Sequence, residues 1–300
     1  MRGPRKKTVI CLILAAAAVA AAFSLYIHHE NTTLTVRCYT LACPSLPAPF
    51  EGFTIVLLSD LHGGWFGEGQ EDLLRLAGEH DPDMIALTGD MIDGRRKNPE
   101  SLIPLYAGLP AIAPCYAVPG NHEGYLTPAE LERLHALADD SGVLRLDGRC
   151  VTLTRGGARI MVGGLGDSSR LLAGRRLSRS QWQQQAVAIY GQWLNDLAAA
   201  YPPEDIGILL CHNPIAADAA IAAGWDVVLS GHTHGGQVGL PGGYGLLSPE
   251  TGFFGRAAGA FWENGGWSVI SRGMGNSVVP VRIACPVELV VITLTAGEPR

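Results

Sequence analysis

The sequence predicts an α/β fold, and three observations carry that expectation. From residue 52 onward, apolar runs of strand length alternate with segments of helical pattern. Most of those runs stop at a turn rich in glycine that also bears aspartate, asparagine or histidine. At 47% apolar and 17% charged, the composition suits a chain that folds around a core rather than a disordered one.

The elements follow in order. "TLTVRCYTL" (residues 33–41) reads as a strand entering the domain, and "FTIVLLSD" (53–60) as the next apolar strand. "EDLLRLAGEH" has a helical pattern, "DMIALTGD" is a further strand, and "IAPCYAVPGN" another. In "TPAELERLHALADD" Thr127 and Glu130 have the spacing of a capping box, which predicts a helix start. Two short strands are expected near 151–154 and 159–162, and a helix over 180–200. "IGILLCHNP" and "WDVVLSGH" are strand-then-turn units, and "WSVISRG" and "VELVVITL" read as late strands. The simplest partition is a basic N-terminus with a membrane anchor (1–30), a connector (31–50) and one catalytic domain (51–300).

Charge narrows the partners. Arg2, Arg5, Lys6 and Lys7 precede the apolar run, and without them 18 of the 22 basic side chains face 28 acidic ones. That balance excludes a phosphate-backbone binder, which needs a basic stripe, so nucleic acid is not expected as a stable partner. Residues 8–27 carry no charge, a length that crosses a bilayer core of ~30 Å as one helix. The basic cluster before it favours a single-pass protein of the cell membrane, its N-terminus cytoplasmic and its catalytic domain extracytoplasmic. A cleaved signal peptide is the alternative, disfavoured because the run is longer than a usual signal core. Of the seven cysteines, Cys38 and Cys43 are close enough in sequence for pairing to be open.

The strand ends carry the chemistry. They deliver Asp60 and His62, Asp90 and Asp93, Asn121, His122 and Glu123, then His212, and finally His232 and His234. Ligands of open α/β sheets bind beyond the carboxyl ends of the strands, so these residues are expected on one rim. Carboxylate, imidazole and amide donors without thiolate suit Mn, Fe or Zn. Two such ions together can clamp a phosphoryl group and acidify a water, and they need a shared anion, for which Asp90 is the natural candidate. A P-loop, a full dinucleotide glycine pattern and a serine-nucleophile elbow are all missing from the sequence.

The ordered set "DLH", "GDMID", "GNHE", a lone histidine and "GHTH" resembles the calcineurin-like metallophosphoesterase superfamily over residues 54–234. "GHTHGGQ" and "SRGMGNSVVPVRIACPVELVVITL" resemble its membrane-anchored bacterial branch of YkuE-like and YaeI-like phosphoesterases. The resemblance implies a four-layer α/β/β/α sandwich of two packed mixed sheets. It implies two divalent metal ions, one held by Asp60, His62 and His234 and the other by Asn121, His212 and His232, with Asp90 bridging. His122 is implied to face the substrate without ligating, oriented by Asp93 or Glu123. The implied activity is hydrolysis of a phosphodiester or pyrophosphate by in-line attack of a metal-bridging hydroxide, on a lipid- or envelope-linked phosphoester. A UDP-2,3-diacylglucosamine-type lipid pyrophosphatase is one specific form. A non-catalytic module that holds a phosphate ligand through the same metals is the competing class, and the intact His122 argues against it. Three further readings stay open: Trp182, Tyr190 and Trp193 as core or as an apolar lip, Arg272 as a phosphate contact or a structural one, and Asn213 as a turn residue, the favoured reading, or a substrate contact.

Overall fold

The computed structural model describes residues 4–201, 206–248, 252–276 and 280–299. Helix α1 (Pro4–Thr32) leads directly into strand β1 (Thr35–Cys43). The expected alternation follows: β2 (Thr54–Leu58), α2 (Glu71–Gly78), β3 (Met84–Leu87), α3 (Leu102–Gly108), β4 (Cys115–Ala117), α4 (Pro128–Ser141) and β5 (Val143–Arg145). Next come the antiparallel pair β6 (Arg149–Arg155) and β7 (Ala158–Leu165), then α5 (Ser169–Leu172), α6 (Arg179–Ala200), β8 (Gly207–Cys211), α7 (Ala217–Ala222) and β9 (Val227–Ser230). A small hairpin, β10 (Leu247–Ser248) with β11 (Gly252–Phe253), precedes β12 (Gly259–Glu263), β13 (Gly266–Ile270) and β14 (Glu288–Ala296).

Two six-stranded mixed sheets result, in the orders β1-β14-β2-β3-β4-β5 and β12-β13-β9-β8-β7-β6. Their central strands β2, β3, β8 and β9 are apolar on both faces, as suits strands covered on both sides. Side chains alternate along a strand, so Ile55 and Leu57 point into the core between the sheets, where they join Ile208, Leu210, Val227 and Leu229. Val56 and Leu58 point the other way and pack with Leu73 of α2 and Leu102 and Leu105 of α3. On the far side, Leu209 and Val228 pack with Tyr190 and Leu194 of α6 and Ala220 of α7. These layers make the expected α/β/β/α sandwich. Burying each of these leucines and valines contributes roughly 1.5–3 kcal/mol.

Several local expectations meet the structure directly. Thr127 and Glu130 form a capping box at the start of α4, and Ser178 with Gln181 forms another at α6. Tyr190 is buried and accepts a hydrogen bond from the Ser168 N–H at 3.2 Å, while Trp182 and Trp193 pack against the same outer cluster. The lip reading of these three aromatics therefore gives way to a core one. Cys38 and Cys43 lie five residues apart on β1, one exposed and one buried, and both are free. An odd offset along a strand puts them on opposite faces at ~16 Å, beyond reach of a disulfide.

The strand expected within the connector forms as β1. Strand β1 pairs with β14 along its whole length, from Thr35 opposite Glu288 to Cys43 opposite Ala296. Helix α1 is uncharged from Thr8 to Ile27 and exposed from Thr8 to Tyr26, and 29 residues reach ~43 Å, enough to span a bilayer. Its last two turns are docked. Tyr26 Oη accepts from the Ala284 N–H at 2.6 Å, Glu30 Oε2 from the Cys285 N–H at 2.7 Å, and Asn31 Oδ1 from Asn276 Nδ2 at 2.7 Å.

Candidate metal centre

The site forms beyond the C-terminal ends of β2, β3 and β4 of the first sheet and β8 and β9 of the second. Each of these strands stops because the following residues are needed in turns. At Asp60, His62, Asp90, His232 and His234 the backbone adopts positive φ, between 49° and 69°. A non-glycine residue there is uncommon, and five around one point is a concentration typical of functional sites. The neighbouring glycines have a separate reason. A Cβ on Gly231 would fall on Ser59 Oγ and Asp60 Oδ2, and one on Gly120 would fall on Asp90 Oδ1. Only glycine lets the backbone pass that close to the carboxylates.

The donors gather in two groups that meet at Asp90. In the first, His62 Nε2 lies 3.3 Å from His234 Nε2, and Asp60 Oδ1 is 3.9 Å and 3.7 Å from those two atoms. In the second, His212 Nε2 lies 3.1 Å from His232 Nδ1 and 3.2 Å from Asn121 Oδ1. Asp90 Oδ2 stands 3.3 Å from His212 Nε2 and 3.7 Å from His62 Nε2, reaching both groups. The spacing of "HTH" now has a geometric meaning: His232 and His234 flank one turn and enter different groups. The two backbone N–H bonds from His232 to Asp60 Oδ1 and Oδ2 tie that turn to the end of β2.

Asp60, His62, Asp90 and His212 are all buried. Lone-pair donors packed this closely, with His62 Nδ1 buried and unpartnered among the described residues, fit divalent cations better than a self-contained hydrogen-bond network. Electrostatics agree. Burial lowers the His62 pKa and pushes His234 down to about 3, so both rings are neutral donors near neutral pH. Burial opposes ionisation of Asp60 and Asp90, yet the His234 and His212 imidazoles hold both carboxyls below the usual range. His212 moves the other way: burial disfavours its cation, but the Asp90 carboxylate beside it raises its pKa.

The three residues expected to act on substrate separate in space. His122 lies beside the first group, its ring centroid 4.5 Å from that of His62, and its backbone N–H donates to Asp90 Oδ1 at 2.7 Å. Asp93 Oδ1 stands 3.2 Å from His122 Nδ1 and is placed to orient the ring. Glu123 does not orient it. Its carboxylate instead accepts the N–H groups of Gly120, Asp90 and Met91 at 2.7, 3.0 and 3.0 Å, clamping the two loops together. Burial, helped by the Asp90 charge, pushes the Glu123 pKa up to about 7. Arg272 pairs with Glu288 at 2.7 Å, which is a structural contact, and Asn213 Oδ1 accepts the Ile215 N–H as a turn residue does.

Sequence reasoning passed over Arg282. It is fully buried and donates to the carbonyl oxygens of Arg272 at 2.9 Å, Gly275 at 2.6 Å and Cys285 at 3.2 Å, with Nη2 3.5 Å from His234 Nδ1. Cys285 Sγ donates to the His234 carbonyl at 3.3 Å. In "VPVRIAC" nothing distinguishes this arginine from a surface strand residue. Ser59, whose Oγ donates to Asp60 Oδ2 at 2.6 Å, was equally silent.

Comparison with known proteins gives the family. The model of the calcineurin-like phosphoesterase family matches residues 53–236, more than half of the chain. An uncharacterised metallophosphoesterase of Aquifex aeolicus is 28% identical over 282 residues, covering 92% of this chain and 97% of its own length. YkuE, an uncharacterised metallophosphoesterase of Bacillus subtilis, is 28% identical over 262 residues, 85% of this chain and 84% of that one. A bovine transmembrane protein with a metallophosphoesterase domain is 28% identical over 203 residues, 64% of this chain and 43% of its own. This chain belongs to the calcineurin-like phosphoesterases and is a metal-dependent phosphoester hydrolase.

Proposed function

We propose that the chain hydrolyses a phosphodiester or pyrophosphate by in-line attack of water at a centre of two divalent cations. Asp60, His62 and His234 hold one cation, Asn121, His212 and His232 hold the other, and Asp90 is shared. The observation that carries this reading is the position of Asp90 Oδ2, within 3.7 Å of a histidine nitrogen in each group. When bound, the cations supply charge neutralisation on the phosphoryl oxygens and an acidified water, and Mn, Fe or Zn all suit the donor set.

The chain's own residues do the positioning. The buried carboxylates, fixed by backbone N–H groups from His232 and His122, keep the donors in place before substrate arrives. His122 is the residue placed to exchange a proton with the leaving group, and Asp93, standing at Nδ1, sets the ring's orientation. Tyr125, half exposed with its ring 5.3 Å from that of His122, marks the outer edge of the site, where substrate approaches.

The substrate is a phosphoester of a membrane lipid or envelope component. Supporting this choice, the last turns of α1, the proposed single-pass anchor, dock on residues 284–287, and Cys285 among them bonds the His234 carbonyl. The test is full-length protein in detergent, stripped by chelator and assayed on bis-p-nitrophenyl phosphate and p-nitrophenyl phosphate with and without Mn. Release that requires Mn, favours the diester and falls about 10²–10⁴-fold in His122→Ala is expected. Metal uptake with no release from either ester, nor from a lipid pyrophosphate, would point instead to a module that binds phosphate ligands.

A further inference from the structure

Beside the metal centre the chain exposes a run of apolar side chains that the reaction does not use. Phe253 and Phe254 are 69% and 64% exposed, and Leu246 and Leu247, on the ribbon beside them, are exposed as well. Phe254 is also held at a φ of 61°, an unusual conformation for an aromatic residue. A cluster of this kind on a protein surface marks a contact with something apolar.

Its place in the fold says what that is. A ladder of backbone hydrogen bonds runs outward from α1. Tyr26 Oη accepts the Ala284 N–H, and the adjoining Ile283 exchanges hydrogen bonds of 2.9 Å with Gln237 and Gly239. The Leu246 N–H then donates to the Val238 carbonyl at 2.9 Å, and the Phe254 N–H to the Leu246 carbonyl at 3.3 Å. With neighbouring ribbons ~4.8 Å apart, the three steps from Ile283 to Phe254 place the phenylalanines within about 15 Å of that helix contact. Tyr26 belongs to the uncharged run of residues 8–27, one residue from its end. If that run fills the hydrocarbon layer, Tyr26 sits at the boundary where tyrosine anchors, and the amide bonded to it lies at the same level.

We infer that Leu247 of β10 and Phe253 and Phe254 at the end of β11 dip into the outer part of the same bilayer that holds α1. The hairpin is also joined to the metal centre. Gly245 packs directly on Gly236, so close that a Cβ on Gly245 would lie 2.6 Å from the Gly236 Cα, and Gly236 follows His234 in the ligand turn. These three side chains, seated in the headgroup region, thereby hold the mouth of the site at the level of lipid phosphoesters. This inference rests on the reading of α1 as a membrane anchor and deepens the proposed substrate class.

The test uses the full chain in vesicles of phosphatidylglycerol and phosphatidylethanolamine, with bromine placed on shallow acyl-chain carbons. Phe253→Trp and Phe254→Trp are compared with the unaltered chain, whose six tryptophans all lie outside α1. Leu144→Trp, on the opposite edge strand β5, is the control. The added emission of the first two variants is expected to be blue-shifted and at least halved by the brominated lipid, that of Leu144→Trp unchanged, and Mn-dependent hydrolysis of the soluble ester intact in all three. Equal quenching of all variants, or of none while the chain floats with the vesicles, overturns the inference and leaves the anchor reading standing. A chain that fails to float with vesicles overturns both.

Discussion

At Asp60, His62, Asp90, His232 and His234 the left-handed backbone costs about 1–3 kcal/mol per residue. Such strain persists where the surroundings over-determine it, and here glycines on either side supply the room. Gly231→Ala is expected to push Asp60 aside and to lower metal occupancy of the His62–His234 group, read by anomalous scattering at the metal edge. His232→Ala and His234→Ala are expected to empty different positions in the same measurement, because their rings enter different groups. His122→Ala should keep both metals and lose turnover. Asp93→Asn should also keep both, with a smaller loss of roughly 10–100-fold, since it disturbs the ring's orientation without removing the ring. Loss of a metal in either variant would make His122 a ligand, a role its closeness to His62 and Asp90 makes a real competitor.

Among the elements, the last turns of α1 carry a consequence for handling the protein. Removal of residues 1–31, the natural way to obtain a soluble form, deletes Tyr26, Glu30 and Asn31 and strips partners from the loop that holds Arg282 and Cys285. In the whole chain, Glu30→Ala leaves the buried Cys285 N–H without its acceptor and should destabilise by about 1–3 kcal/mol, visible as a lower thermal midpoint. Unchanged stability would show that the docking is incidental. The strands that form the site were legible because β2, β3, β8 and β9 are short apolar runs that stop at polar, glycine-rich turns. The hairpin β10–β11 and strand β12 were not, since "LS", "GF" and "GAFWE" show no apolar alternation. The candidate ligands were legible by residue type and order. Asp93 and Glu123 were left as alternative partners of His122, because only the turn geometry shows that the Glu123 carboxylate meets the backbone of the Asp90 loop.

For the whole molecule, the packing of two sheets face to face, with their site-forming strand ends on one side, is what makes a two-part site possible. The first sheet brings Asp60, Asp90 and Asn121, the second brings His212 and His232, and neither half holds a complete donor set. Cations binding across that seam should stabilise the sandwich, by about 4 kcal/mol when free metal exceeds the dissociation constant 1,000-fold, so chelation is expected to lower the thermal midpoint. The shared carboxylate is the centre of the account. The decisive measurement is metal content per chain, by mass spectrometry of the elements, for the unaltered protein and Asp90→Ala reconstituted with Mn and freed of excess. Two ions per chain falling to none in a variant that keeps its fold is the expected result. One ion in the unaltered chain, or two retained by Asp90→Ala, would contradict a binuclear centre built on Asp90.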